Sequence, residues 1–329
     1  MSTPPARPCP AAPPHGILLV DKASDRSSHD VVARARWLLG TKKVGHAGTL
    51  DPMATGLLVL GVGQGTRLLT YLVGLDKTYS ATIRLGQATI TDDREGEALG
   101  EPRDASGLSA EEIEGALAPL RGRIAQVPST VSAIKVDGQR AYARARAGEE
   151  VSLAARPVHV GRFDVLAQRT EGSYLDLDVV VDCSSGTYIR ALARDLGAAL
   201  GVGGHLTALR RSAVGPFDVA QALHIPARGE GDDVALPLQG LGEIARQVLP
   251  SVTVDAQEAA ALAQGKQVPV RAPASPPAAS GSAKPAAAAH EGAGAPVAAL
   301  DAQGRLCAIV QARGRALQPV MVIPLEARC

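Results

Sequence analysis

Lys43-Val44-Gly45-His46-Ala47-Gly48-Thr49-Leu50-Asp51-Pro52-Met53-Ala54-Thr55-Gly56 sets a single carboxylate, Asp51, among turn-forming residues, and the apolar run Leu57-Leu58-Val59-Leu60 follows at once. Gly45, Gly48 and Gly56 admit backbone angles and close approaches that other residues resist. Pro52 fixes the turn after Asp51 and removes one backbone donor. The pattern predicts a tight loop that delivers one acid into a cleft, anchored by a buried strand. A bare Asp-Pro pair is more often a surface turn. The nearby Gly61-Val62-Gly63-Gln64-Gly65-Thr66 looks at first like a phosphate cradle. It fits neither Gly-x-x-x-x-Gly-Lys-Ser/Thr nor Gly-x-Gly-x-x-Gly, and that reading is set aside.

Outward from this string, the chain alternates between strand and helix signals. Gly16-Ile17-Leu18-Leu19-Val20 reads as a buried strand ending in Asp21-Lys22. Ser27 or Ser28 caps a helix with Val31, Val32, Ala35, Leu38 and Leu39 on its apolar face. Arg34, Arg36, Lys42 and Lys43 cluster towards its end. A charge cluster on a helix is usually a solvated face, but beside the Asp51 loop it suggests phosphate contact. From Thr78 to Gly86, Tyr79, Ala81, Ile83 and Leu85 alternate with Ser80, Thr82 and Arg84, a half-buried strand. The loop Thr89 to Gly96 is polar and acidic. Ser109-Ala110-Glu111-Glu112 is a capping box with Ile113, Ala116, Leu117 and Leu120 inward.

Farther on, Val127 to Gly138 reads as a strand-turn element, followed by an Arg-rich helix through Tyr142, Arg144 and Arg146. Val158 to Leu166 and Tyr174 to Cys183 are strands, and Ser184-Ser185-Gly186-Thr187 turns into a helix with Tyr188 and Arg190 on its first turn. His205 to Phe217 reads as one strand. Composition shifts near Pro250; Asp255 to Gln264 is a capped helix stopped by Gly265. Strands resume at Ala298-Leu300, Leu306-Val310 and Pro319-Ile323, with a turn at Asp301-Ala302-Gln303-Gly304. Residues 1–14 and the Pro/Ala-rich stretch 271–296 lack apolar periodicity and are expected to be disordered.

Composition bounds the function classes. At 329 residues with 46% hydrophobic content, the chain suits one large domain plus a small one. Formal net charge is +1, so nucleic-acid binding would need a local basic face rather than a basic protein. Cys9, Cys183, Cys307 and Cys329 are scattered, which indicates neither a disulfide framework nor a zinc site. There is no signal-peptide pattern and no run of about 18 apolar residues. The expectation is a soluble, cytoplasmic protein.

The Asp51 string resembles the catalytic motif of TruB-type tRNA pseudouridine synthases, Gly-His-x-Gly-x-Leu-Asp-Pro-x-Ala-x-Gly. The likeness runs from about Gly16 to Phe217. It includes Lys77-Thr78-Tyr79, Thr89-x-Thr91-x-Asp93-x-x-Gly96, Gly186-Thr187-Tyr188-Ile189-Arg190 and Leu209-Arg210-Arg211-x-x-x-Gly215-Pro216-Phe217. The resemblance implies the pseudouridine-synthase fold over residues 15–248: α+β, with a mixed, largely antiparallel sheet flanked by helices around a central cleft. It also implies a small β-rich, PUA-like RNA-binding domain over 249–329, interrupted by the 271–296 insert. Ala23, Ala47 and Val131 depart from residues frequent in the family (proline, threonine and tyrosine), which bears on loop shape and RNA fit rather than on chemistry.

The resemblance also implies roles. Asp51 is the catalytic carboxylate, acting as covalent partner or electrostatic stabiliser while the base is moved from N1 to C5 of its ring. Arg190 keeps that carboxylate ionised. Tyr79 stacks on the uracil and is positioned to accept the C5 proton. Tyr188 and Leu209 line the base pocket, and His46 fills the space left by the everted base. Lys22, Lys43, Arg67, Lys77, Arg210 and Arg211 are candidate phosphate contacts, and Asp93 ranks below them as a loop or RNA-orienting acid. The implied activity is isomerisation of the T-loop uridine at position 55 of tRNA, by a monomer without metal, cofactor or obligate protein partner. Two rivals are a guide-RNA-dependent synthase subunit and a non-catalytic tRNA-binding or folding module.

Overall fold

The computed structural model describes residues 14–129, 135–136, 139–140, 153–274 and 294–328. The chain opens with β1 (Gly16–Lys22), α1 (Ser28–Leu38), β2 (Val44–His46), β3 (Thr55–Val62) and α2 (Gly65–Leu72). There follow β4 (Lys77–Leu85), β5 (Ala88–Thr89), β6 (Ala98–Leu99), α3 (Ala110–Leu117), β7 (Gly122–Gln126), β8 (Lys135–Val136) and β9 (Gln139–Arg140). Next come β10 (Arg156–Glu171), β11 (Tyr174–Cys183), α4 (Ile189–Ala199), β12 (Gly204–Val214), β13 (Phe217–Asp218) and α5 (Leu241–Val248). The last are β14 (Ser251–Thr253), α6 (Ala256–Ala263), β15 (Val268–Pro269), β16 (Val297–Leu300), β17 (Leu306–Arg313) and β18 (Ala316–Val322). Three helices start on reciprocal caps visible in the sequence: Ser27 with Asp30, Ser109 with Glu112, and Asp255 with Glu258.

By contacts the chain divides into two units, residues 1–75 with 213–329, and residues 76–212. In the first, β1 runs antiparallel to β3 with Leu18 opposite Leu60 and Leu19 opposite Val59, while β2 pairs with the C-terminal part of β3. Every residue of β3 after Thr55 is buried, which is why Leu57-Leu58-Val59-Leu60 shows no period-two pattern. A second sheet of this unit has the order β14-β16-β17-β18-β15. One of its faces (Ala298, Leu300, Leu306, Ile309, Met321) shares a core with Ile17, Leu57, Leu68 and Leu72 and with Leu241 and Ile244 of α5. The other (Val297, Ala299, Cys307, Ala308, Val310) packs with Ala259 and Leu262 of α6. The expected boundary near residue 248 is therefore one of composition. Packing instead joins the C-terminal sheet to the N-terminal strands.

The second unit orders β12, β4, β11, β10 and β7 side by side, β12 through its residues up to Ser212. β11 is antiparallel to β4, with Val181 opposite Tyr79 and Leu177 opposite Ile83, and β10 is antiparallel to both β11 and β7. Tyr79, Ala81, Ile83 and Leu85 are buried, as their alternation predicts. Elements of both kinds, with largely antiparallel sheets, make this the expected α+β fold.

Three expectations need correction. The strand expected from His205 to Phe217 breaks into a hairpin, with Ala213 opposite Asp218 and Val214 opposite Phe217, because Gly215 sits at φ 52 and Pro216 cannot extend a ladder. The strand expected to end at Leu166 continues to Glu171. Its outer half is exposed on both faces and carries ion pairs such as Arg169–Asp178 instead of an apolar period. Within the stretch expected to be disordered, Arg271 pairs with Glu258 at 2.7 Å and Ala274 bridges Ser251. Residues 1–13 and 275–293, the Arg-rich helix through Tyr142, and most of the Val127–Gly138 element lie outside the described residues.

The junction of α5 with the C-terminal sheet leaves no room for a methyl group. A Cβ on Gly242 would lie 2.0 Å from the carbonyl oxygen of Gly304. Gly242→Ala is expected to lower the unfolding free energy by about 2–3 kcal/mol, measured by urea denaturation; an unchanged midpoint would contradict this contact.

Candidate active site

The Asp51 loop joins β2 to β3 and is tied down on two sides within its own unit. On one side, the hydroxyl of Ser28, buried in the first turn of α1, accepts from the Leu50 N–H at 2.9 Å and donates to the Leu50 carbonyl at 3.1 Å. On the other, the Lys22 ammonium at the end of β1 donates to the carbonyls of Arg26 (2.6 Å), Ala23 (3.0 Å) and Pro52 (3.0 Å). Pro52 O also accepts from the Asp25 N–H, and the Ala54 N–H closes the turn on Asp51 O at 3.1 Å. Gly48 and Gly56, both at φ 98, flank the loop in the left-handed region. The Asp51 side chain is half-buried between buried Leu50 and Met53. A carboxylate on a backbone anchored this way needs little reorganisation to meet developing charge. His46, at the end of β2, stands edge-on to His29, with ring centroids 5.8 Å apart.

In the second unit, Arg190 lies on the first turn of α4 and is 4% exposed. Its Nη1 donates to the Thr91 carbonyl at 2.8 Å and to Ser129 Oγ at 3.2 Å, and faces Asp93 Oδ2 at 3.4 Å. Asp93 is in turn fixed by the Thr91 hydroxyl at 2.6 Å and the Glu95 N–H at 3.0 Å. A Cβ on Gly96 would come within 2.3 Å of Thr91 Oγ1, so the loop closes only over glycine. Asp92 adopts φ 61 and pairs with Arg194 at 3.3 Å. Burial raises its pKa, and the Arg194 charge opposes that rise. The Thr89-x-Thr91-x-Asp93-x-x-Gly96 pattern is thus a scaffold around two arginines of α4.

Tyr188 forms the N-cap of α4, and its backbone is held from both ends by buried Gln126. Gln126 Oε1 accepts from the Tyr188 N–H at 2.8 Å, and its Nε2 donates to the Tyr188 carbonyl at 3.1 Å. Tyr79 and Leu209 are both buried, on β4 and β12.

Residues 36–189 match the family model described as TruB family pseudouridylate synthase (N terminal domain), and residues 190–226 match the tRNA pseudouridylate synthase B C-terminal domain. A protein of Arthrobacter sp. (strain FB24) named tRNA pseudouridine synthase B is 52% identical over 309 residues, covering 93% of this chain and 96% of that one. The chain belongs to the TruB family. The like-named protein of Rhodococcus jostii (strain RHA1) is 52% identical over 310 residues, covering 94% and 93% of the two chains. Among solved structures, the fold resembles a chain of a Cbf5-Nop10-Gar1 complex, with TM-score 0.67, 25% identity, and coverage of 95% of this chain and 86% of that one. It also resembles a chain of an H/ACA RNP bound to a substrate RNA containing 2'-deoxyuridine, with TM-score 0.66 and 23% identity.

Within this TruB-family chain, three candidate phosphate contacts lie deep in the protein. Lys22 is 1% exposed with its ammonium spent on carbonyls, Arg211 is 1% exposed, and Lys77 is 7% exposed. Lys43 and Arg67 are exposed and Arg210 half-buried. Asp93 proves to be the acid that orients Arg190, a larger part than its expected rank. Gln126 and Ser129 escaped notice because a lone Gln or Ser carries no periodic or motif signal, and Ser28, read as a cap candidate beside Ser27, instead ties α1 to Leu50. Among the described residues no cluster of His, Cys, Asp and Glu could hold a metal ion.

Burial, together with the Arg211 charge, lowers the Lys77 pKa to about 8, and burial raises that of Cys183, opposite it on β11, to about 12. Between pH 8 and 10.5 the folded protein holds Lys77 neutral while the unfolded chain still binds a proton, so stability rises with pH across that window. Relative to Lys77→Met, the wild type is expected to gain about 1.4 kcal/mol per pH unit there. Parallel stability curves would contradict the lowered Lys77 pKa. Lys22→Met takes the ammonium away from the carbonyls of Ala23, Arg26 and Pro52 and is expected to cost about 2–4 kcal/mol in unfolding free energy, measured by the same denaturation series.

Proposed function

We propose that this chain converts uridine 55 in the T-loop of tRNA to pseudouridine, acting alone in the cytoplasm without cofactor or protein partner. Relatives at 52% identity over almost the whole chain carry the name tRNA pseudouridine synthase B, which supports pseudouridine formation in tRNA. The observation that carries the reading at the level of residues is the Asp51 loop: the full family motif, on a backbone anchored by Lys22 and Ser28.

The reaction breaks the bond from C1′ to N1 and forms one from C1′ to C5. The C5 proton leaves, and N1 gains a proton, so there is no net redox change. Asp51 takes the part of nucleophile or stabiliser of the transient cationic sugar. Tyr79 stacks on the uracil and accepts the C5 proton, and Tyr188 and Leu209 enclose the base. Arg190 keeps the catalytic carboxylate ionised. His46 takes the position vacated when the base leaves its stack. Exposed Lys43 and Arg67, with Arg210, contact phosphates, and residues 249–329 add RNA-binding surface as a PUA-like module.

Incubating the purified chain alone with an isolated T-stem-loop, followed by nucleoside analysis, tests the reading. Pseudouridine at position 55 is expected; product formed only with added guide RNA and proteins would favour a guide-dependent subunit. Asp51→Asn is expected to abolish product while tRNA affinity stays close to wild type, since uncharged Asn preserves the loop. Retained turnover would remove Asp51 from the chemistry. Lys43→Ala should reduce the salt dependence of tRNA binding by about one unit of slope.

A further inference from the structure

Away from the Asp51 loop, the exposed face of α1 forms one wall of a groove within the first unit. Asp30, Ala33, Arg34 and Trp37 fall at helical spacing on that face, and Arg26, Ala227 and Arg228 complete the lining around about 510 Å³. Trp37 is the chain's only tryptophan and is 39% exposed. The Arg34 guanidinium lies 4.7 Å from the centre of its ring. Arg34 is itself held by Asp232 at 2.6 Å and the Pro226 carbonyl at 3.0 Å, which fixes the 226–232 loop as the opposite wall. Its Nη1 is buried and has no hydrogen-bond partner among the described residues.

The chemistry of this groove is that of an indole platform with guanidinium groups at its edge. Asp232 is neutralised by Arg34, and the Asp30 carboxylate is occupied by the Ser27 N–H and hydroxyl. Exposed Arg228 and half-buried Arg26 supply the cationic excess. Unstacked RNA bases are held by this combination of aromatic ring and arginine plane, with the adjoining phosphate on a guanidinium. The volume suits one nucleotide-sized group, within the roughly 300–1,000 Å³ of small-ligand sites. Building on the reading above that the substrate is RNA, we propose that the Trp37 groove binds one unpaired nucleotide of the substrate RNA, its base against the indole and its phosphate on Arg26 and Arg228.

The single tryptophan makes the site its own reporter. The full-length chain is titrated with tRNA and, separately, with a short unpaired RNA pentanucleotide, following indole emission alongside filter retention. Saturable quenching by both RNAs, with the tRNA midpoint matching retention, is expected. Trp37→Leu should raise the tRNA Kd fivefold or more at an unchanged urea midpoint, and Arg228→Ala should weaken binding and flatten its salt dependence. Quenching by the pentanucleotide without retention of tRNA would overturn the tRNA assignment and leave the groove standing. Emission unaffected by either RNA, or Trp37→Leu binding like wild type, would overturn the groove and leave it to a protein partner.

Discussion

A buried ammonium holds the Asp51 loop in place. Removing a lysine charge from water is costly unless its donors are used, and Lys22 uses them on the carbonyls of Ala23, Arg26 and Pro52. These three acceptors come from two segments, the turn after β1 and the turn that contains Asp51. One cation therefore fixes both backbones with respect to each other. Ser28 does the same from α1, donating and accepting at Leu50. With both anchors the orientation of Asp51 follows from the packing of β1, β3 and α1. The hydrophobic core built on Ile17, Leu57 and Leu68 thus acts directly on the geometry of one carboxylate.

The same economy recurs in the second unit with arginine in place of lysine. Arg190 and Arg194 leave the first turns of α4 towards a loop that offers Asp92, Asp93 and the Thr91 carbonyl. A buried ion pair gives little net stability, but losing one partner strands the other's charge, so the arrangement enforces a single geometry. This explains why the acidic loop, an odd surface for an RNA-binding protein, is compatible with one. The carboxylates of Asp92 and Asp93 are turned onto arginines of its own unit. It also explains why a formal net charge of +1 says little about the surface. Lys22, Lys77, Arg34, Arg190 and Arg211 are all buried, and cations such as Lys43, Arg67 and Arg228 are left outside.

Much of this was legible in the residues. Ser109 with Glu112 and Asp255 with Glu258 spell their helix starts, β4 shows its buried face by alternation, and the Asp51 string announces its loop because glycine, proline and carboxylate stand together. The failures share a cause: sequence shows what a side chain is, while burial decides what it does. Lys22 and Arg211 read as solvent-facing because lysine and arginine usually stay in water, and only the fold shows them turned inward. The hairpin at Gly215-Pro216 was missed because apolar residues continue on both sides of the turn. Packing of the C-terminal sheet against β1 and α2 leaves no trace in composition, since Ala298, Leu300 and Ile309 read the same whichever partner covers them.

Gln126 ties the start of α4 to the end of β7. Tyr188 stands at the N-cap of α4 and gives the helix no side-chain capping bond, so the start of that helix would fray if nothing else held the peptide. Gln126 supplies, from the end of β7, an acceptor for the Tyr188 N–H and a second donor to its carbonyl beside the Leu192 N–H, and Ser129, three residues on, contacts Arg190 directly. Arg194 returns a bond to the Val127 carbonyl at 2.8 Å. The exit of one peripheral strand therefore determines where two motif residues, Tyr188 and Arg190, begin their helix. A neutral amide suits this position because it donates and accepts at once. A carboxylate would lose the donor, and an aliphatic side chain would take this acceptor from the Tyr188 N–H while its carbonyl kept the Leu192 N–H at 3.2 Å.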